Sequence, residues 1–225
     1  MVRLVLFDID GTLLHTNSVG IRAFARTLET EFNVHNGTAG LKFAGRTDTG
    51  LVRELFVKHG IEPSKKNFRL FFDSYTNCLA QMLVETGGEI CPGAEKLIEE
   101  LQALPNPPLL GLLTGNIRLG AEIKLRHFNL WEIFKTGAFA DDHEDRNEIA
   151  AVAHQRGCEA LGEQLRGDEV VVIGDTPHDV ACGRAIGAKV LAVATGVTPL
   201  AELEALRPEW AVADLTKIEA RQICR

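Results

Sequence analysis

A doubly wound α/β fold, built on a parallel sheet and interrupted early by a helical insert, is predicted by three features of this 225-residue chain. The first is the unalternating apolar run Val2, Leu4, Val5, Leu6 and Phe7, which reads as a strand covered on both faces. The second is a regular helix-strand alternation from Ala94 onward, the signature of parallel βα units. The third is a stretch from about residue 16 to about residue 88 in which apolar residues recur only at helical spacing.

Taken in order, the opening strand runs into Asp8-Ile9-Asp10-Gly11-Thr12. Behind Ser18 as an expected N-cap, Ile21, Phe24, Ala25, Leu28 and Phe32 form one helical stripe. Leu51 to Val57 suggests a second helix, and Phe68, Phe71, Phe72, Tyr75, Leu79, Met82 and Leu83 a further stripe; helix-on-helix core is their expected fate. Gly87-Gly88 and Pro92-Gly93 bracket the return and offer hinge points. An amphipathic helix to Leu104, a loop at Pro105 to Pro108 and a strand over Leu109 to Leu113 follow. Further strands are expected near Lys135 to Ala140, Glu169 to Gly174, Lys189 to Ala194 and Trp210 to Val212, with a terminal helix from Asp214. The expected division is a core of residues 1–15 and 89–225 with an insert of residues 16–88.

Composition narrows the class. With 45% hydrophobic residues the chain can bury a substantial core. A net charge of −7 offers no electrostatic footprint for nucleic acid, and Lys65-Lys66 with Arg69 reads as a solvated helix face. No apolar segment approaches membrane-spanning length, and the N-terminal apolar run is broken at once by Asp8 and Asp10. Neither nucleic acid nor membrane is expected as a partner, and the expected compartment is the cytoplasm. The five cysteines show no metal-ligand spacing and are expected to be reduced.

Chemistry concentrates at strand ends, where ligands of parallel sheets bind. Asp8 and Asp10 follow the first strand, Thr114-Gly115-Asn116 follows Leu109 to Leu113, and Gly174-Asp175-Thr176-Pro177-His178-Asp179 follows Val170 to Ile173. Thr114 and Gly115 can point a hydroxyl and backbone N–H groups at an anion, although helix-capping turns look similar. Asp179 lies one turn into the helix that Pro177 begins, so it can reach back toward Asp175; a capping box with Asp175 or Thr176 is the alternative. Asp8, Asp10 and Asp175 at one sheet edge would repel strongly unless neutralised. Oxygen-only ligands select a hard divalent ion, and Mg²⁺ is the natural occupant. A phosphate there also needs a fixed cation, for which Arg146 is the candidate, salt bridging to its acidic neighbours being the other reading.

These clusters, in this order, resemble the haloacid dehalogenase (HAD) superfamily, most closely its phosphoglycolate-phosphatase-like branch. The resemblance implies a Rossmann-like core with a helical cap inserted after the first motif. It implies an Mg²⁺-dependent phosphatase acting on a small phosphorylated metabolite through an aspartyl-phosphate. Asp8 would be the nucleophile and Asp10 the acid and base, while Thr114, Gly115 and Asn116 would meet the substrate. Asp8, Asp175 and the backbone carbonyl of Asp10 would hold the metal, with Asp179 behind them. One position departs from the pattern, since the usual third-motif lysine is missing and Arg146 fits its place, with Lys124 and Lys135 as substitutes. In the insert, Gly45-Arg46-Thr47-Asp48 resembles the cap element that meets substrate, with Arg46 reading the part not transferred; an N-cap by Thr47 or Asp48 is the alternative.

Other functions are weighed by the same residues. A dehalogenase has no leaving oxygen to protonate, so Asp10 argues against it. A phosphomutase of the same fold, or a catalytically silent binding module, stays open as an alternative. No GxxxxGK[ST] occurs, so a P-loop NTPase has no support.

Overall fold

The computed structural model describes residues 1–224. Strand β1 (Leu4–Phe7) is followed by a two-residue strand β2 (Leu14–His15) and then by three helices, α1 (Val19–Phe32), α2 (Asp48–Lys58) and α3 (Lys65–Thr86). The chain returns through β3 (Glu89–Ile90). Alternation then begins with α4 (Ala94–Gln102), β4 (Leu109–Leu113), α5 (Arg118–His127), β5 (Thr136–Ala138) and α6 (Arg146–Leu161). It continues through β6 (Val170–Gly174), α7 (Pro177–Ala185), β7 (Lys189–Val193), α8 (Leu200–Ala205), β8 (Trp210–Val212) and α9 (Ala220–Ile223).

Six of these strands form one parallel sheet in the order β5-β4-β1-β6-β7-β8. From β1 the chain works outward through β4 to β5, then crosses back to lay β6 on the other side of β1. This reversal opens a crevice at the carboxyl ends of β1 and β6, where a doubly wound sheet takes its ligand.

The opening run lacks alternation because consecutive residues serve different cores. Val5 and Phe7 pack with Ile98, Leu101 and Leu125 on one face of the sheet. Leu4 and Leu6 pack with Ile149, Ala153 and Val172 on the other. Every residue of β1 is therefore apolar and fully buried.

The three helices between β2 and β3 gather an apolar cluster of their own around Phe24, Leu28, Leu55, Phe56, Phe71 and Tyr75. Its centre is aromatic, with Phe24 5.1 Å from Phe71 and 4.7 Å from Tyr75 in edge-to-face contact. From the sheet domain Ile117 and Ala140 join it, with the partly buried Ile123 packed against it. The two crossings between insert and sheet domain are clamped together, Leu14 pairing with Ile90 and His15 with Glu89 in an antiparallel ribbon.

Two local expectations are corrected. Ser18 does precede α1, but it sits in a left-handed conformation at φ 59° beside Asn17 at φ 49°, and its side chain makes no capping bond. The chain uses this pair to turn sharply out of β2, which carries the hydroxyl away from the first helical turn. The expected helix from Asp214 is instead a 3₁₀ turn over Leu215–Lys217, capped by Asp214, and the four-residue α9. Ile218 between them is extended and breaks the run. The five cysteines are free thiols, and Lys65, Lys66 and Arg69 are exposed.

Helix α6 reaches the sheet at Gly157, where any Cβ would collide with the side chain of Leu4. Gly157→Val should therefore overpack the α6–β1 contact and cost about 1–3 kcal/mol, read as a lower urea midpoint. An unchanged midpoint would mean that this contact is loose.

Candidate active site

Parallel pairing of β1 with β6 sets the register of the site. Phe7 lies opposite Ile173, and the Asp8 N–H donates to the Ile173 carbonyl at 2.9 Å, so Asp8 and Asp175 emerge side by side. Beyond Asp8 the chain turns back on itself, with the N–H groups of Thr12, Leu13 and Leu14 all donating to the Ile9 carbonyl. Gly11 carries the positive φ of 85° that this turn needs. The turn aims Thr12 Oγ1 at Asp175 Oδ1, which accepts from it at 3.2 Å.

Asp8, Asp175 and Asp179 are buried, and each places one carboxylate oxygen within 4.8 Å of the others. Burial first, and then mutual repulsion, raises Asp8 and Asp175 well above the ordinary aspartate range, with Arg146 pulling the other way. Asp8 Oδ1 is completely covered yet has no hydrogen-bond partner among the described residues. The nearest positive charge to it, the Arg146 guanidinium, stands 3.5 Å away without a hydrogen bond, so this buried oxygen is only partly compensated. The all-oxygen donor set, with one lone pair site on Asp8 unspent, fits a hard divalent cation.

Arg146 opens α6, whose N-cap Asp145 accepts from the Asn147 N–H at 2.8 Å. Its guanidinium donates to Asp179 Oδ1 and lies 3.5 Å from Asp8 Oδ1. Burial opposes its charge, but Asp179 and Asp8 outweigh burial and hold it firmly protonated. Its acidic sequence neighbours are engaged elsewhere: Asp142 with Arg156, Glu144 with Arg53, and Asp141 with the Arg118 N–H. Asp179 serves two purposes, because its Oδ2 accepts from the Thr176 N–H at 3.0 Å and the Thr176 hydroxyl at 2.6 Å in a capping box on α7. Capping and charge pairing are thus not alternatives here.

The structure parts Asp10 from the other acids. Its carboxylate points into the cavity, 42% exposed, and accepts from Lys124 Nζ at 2.8 and 2.6 Å and from Asn116 Nδ2 at 2.8 Å. Asp8, Asp10 and Asp175 do line one cavity, but the side-chain oxygens that approach one another within 4.8 Å are those of Asp8, Asp175 and Asp179, while the Asp10 carboxylate pairs with Lys124. Asn116 also donates to Thr114 Oγ1 at 2.9 Å, which links the fully buried Thr114 to the same network. Lys135 is corrected too; it is exposed and donates to the Glu132 carbonyl on the outer edge of the sheet. Lys124 was legible only as a substitute for Arg146, although its place in the apolar stripe Ile117, Ala121 and Leu125 of α5 marked it as buried.

The insert segment around Arg46 is docked on the sheet domain. Gly115 makes this possible, since a side chain there would collide with the Arg46 carbonyl. The Asp48 N–H donates to the Gly115 carbonyl at 2.7 Å, and Asp48 Oδ2 accepts from the Ile117 N–H at 2.9 Å. Thr47 and Thr49 donate to the carbonyls of Glu144 and Ala140, and Arg53 grips Glu144 with both nitrogens. Thr47 also caps α2. Arg46 itself pairs with Glu54 at 2.6 Å while lining the cavity. That cavity, of about 460 Å³, lies between Asp8, Asp10, Arg146 and Asp175 below and Phe24, Arg46 and Tyr75 of the insert above.

Residues 5–193 match a family model described as haloacid dehalogenase-like hydrolase. Pyrophosphatase PpaX of Bacillus mycoides is 28% identical over 225 residues, covering 98% of each chain. Among solved structures, CbbY from Rhodobacter sphaeroides in complex with phosphate superposes with a TM-score of 0.69 at 18% identity, over 88% of this chain and 90% of that one. A predicted phosphoglycolate phosphatase from Haemophilus somnus gives 0.73 at 17% identity, over 96% of each. At such identities the structural matches speak for the fold.

Asp48 provides a pH test of the docking. Burial raises its carboxyl from 3.8 to about 7, against the pull of Lys124 and the Ile117 N–H. A carboxyl with a raised folded pKa favours the folded state fully only below its unfolded value, and the advantage is lost as pH climbs through about 7. Asp48→Asn keeps an acceptor and has nothing to ionise. Between pH 5 and pH 8 its melting temperature should gain on that of the wild type by on the order of several degrees; parallel curves would remove the assignment.

Proposed function

The chain belongs to the haloacid dehalogenase-like hydrolase family, and from that premise we propose that it is an Mg²⁺-dependent phosphatase of small phosphate monoesters that works through an aspartyl-phosphate. The observation that carries this reading is Asp8: a buried carboxylate with one oxygen that no hydrogen bond satisfies, set between Asp175 and the guanidinium of Arg146 at the floor of a cavity.

A carboxylate is repelled by a phosphate dianion, so attack requires fixed positive charge at the point where the two meet. Arg146 supplies it without the option of losing its proton. In the first step Asp8 forms a bond to phosphorus and the bond from phosphorus to the leaving oxygen breaks. That oxygen departs with the electron pair and a proton from Asp10. In the second step water attacks the phosphoryl group, Asp10 takes a proton from it, and the bond from phosphorus to Asp8 breaks. The Thr114 hydroxyl and the Gly115-Asn116 turn meet the phosphoryl oxygens. Asp8 and Asp175, with the backbone carbonyl of Asp10, would hold the metal, and Asp179 keeps Arg146 in place beside them. When bound, Mg²⁺ offsets the negative charge of the phosphoryl oxygens and of the acids around it.

The substrate class follows from the wall of the cavity. Arg46 is the cation that the insert contributes, and in this reading it turns from Glu54 to the part of the substrate that is not transferred, a carboxylate or a second phosphate. Phosphoglycolate and inorganic pyrophosphate both have that form, and relatives are named for activity on each. We place the enzyme in the cytoplasm; its cysteines are free, and among the described residues no helix is long and apolar enough to cross a membrane.

Purified protein incubated with phosphoglycolate, with the anhydride pyrophosphate and with a panel of small phosphoesters should release phosphate with Mg²⁺ and stop with EDTA. Asp8→Asn should lower turnover on the order of a thousandfold or more while the protein stays folded, and Arg46→Ala should raise KM on the preferred ester with a smaller change in kcat. Full activity in Asp8→Asn would end the nucleophile assignment.

A further inference from the structure

Lys124 takes no part in the chemistry described so far, yet it is among the most completely buried charged groups of the chain. Its side chain is 4% exposed, and its ammonium donates to both oxygens of Asp10 and to Asn116 Oδ1 at 2.7 Å. The insert closes over it: a Cβ on Gly20 of α1 would stand 3.7 Å from Nζ. All three ammonium hydrogens have acceptors in a fixed arrangement, which fits a lysine with three donors and no spare room. Asn116 completes a closed set of bonds, donating to Asp10 Oδ2 while accepting from Lys124.

Burying a lysine is costly, and nothing in the packing of α5 calls for one, since its neighbours in the stripe are Ile117, Ala121 and Leu125. What the lysine does hold is a carboxylate that would otherwise swing freely on the edge of a cavity. Asp10 is only half-buried, and its other close partner is an amide that Lys124 itself orients. The two cations of the site therefore divide their work. Arg146 lies against Asp8 and Asp179, and Lys124 lies against Asp10, so neither substitutes for the other.

We propose that Lys124 is the positioning residue for Asp10: it and Asn116 lock the carboxylate at the floor of the cavity, beside Asp8 and Asp175 but held by a cation of its own, where it meets the leaving oxygen. The inference rests on the phosphatase reading and adds to it the residue that sets the direction of proton delivery. Loss of the ammonium lets the Asp10 side chain rotate, and proton transfer is sensitive to placement within an ångström. The damage should depend on the leaving group. An alkyl oxygen is too basic to depart without a proton, whereas p-nitrophenolate leaves as a stable anion.

The test compares wild type, Lys124→Met and Lys124→Arg on phosphoglycolate and on p-nitrophenyl phosphate, with melting temperatures and Mg²⁺ activation midpoints measured for each. Lys124→Met should lose about 10-fold to 100-fold in kcat on the alkyl ester and only about a tenth as much on the aryl ester, with KM and the Mg²⁺ midpoint little changed. Lys124→Arg, which keeps charge and donors, should recover part of the loss. Equal losses on the two esters, or none, in a folded Lys124→Met protein would overturn the positioning role while leaving the phosphatase reading intact. Wild-type protein inert toward both esters, and toward the wider panel, would overturn that reading and this inference with it.

Discussion

Everything in this molecule is arranged around an electrostatic problem created by backbone pairing. Because β1 and β6 lie side by side in parallel register, the residues that follow them must come out together, and those residues are Asp8 and Asp175. Asp179 then folds back from the first turn of α7 into the same space. Three carboxylates in a buried volume repel one another and have lost their water, and both effects raise the pKa values of Asp8 and Asp175. The fold answers with Arg146, whose charge neither burial nor pH can remove and which stands 3.5 Å from Asp8 Oδ1, an oxygen that no hydrogen bond satisfies. Under the proposed function, this arrangement holds Asp8 as a nucleophile where a phosphoryl group can be neutralised and reached.

A second consequence is the separation of Asp10 from its neighbour two residues away. Asp8 follows directly on β1 and is buried, whereas Asp10 enters the Gly11 turn and is 42% exposed. Lys124 and Asn116 then capture the second carboxylate. Two acids close in sequence thereby acquire different surroundings, one dry and crowded by acids, the other half-exposed and paired with an ammonium. That contrast of environment is what a nucleophile and a proton carrier require of two otherwise identical side chains.

The insert carries its own aromatic core and meets the sheet domain both through apolar packing at Ile117 and Ala140 and through bonds to loop backbone. The contacts at Gly115, Ile117, Ala140 and Glu144 are made to main-chain atoms of the strand-end loops, so that the same loops which shape the site also dock the insert. Position of the insert and geometry of the site are therefore linked through shared loops. The antiparallel clamp of β2 on β3 ties the two chain crossings together.

Much of this was legible in the chain itself. Unbroken apolar runs at Leu4 to Phe7 and Val170 to Ile173 announce strands buried on both faces, helical periodicity announces the insert, and strand ends announce where Asp8, Thr114 and Asp175 must gather, because burial patterns and sheet topology are properties of local composition and order. The left-handed turn at Ser18 and the broken terminal helix were hidden, since both depend on where the chain has to go next more than on what it is made of. Three-dimensional proximity alone decided which acid belongs to which cation. Arg146 looks past the acids beside it in sequence to Asp179 and Asp8, and Lys124, 114 residues from Asp10, becomes its partner. Pairings of this kind are fixed by distance and shared burial after the chain has closed on itself, and charge in a sequence carries no record of either.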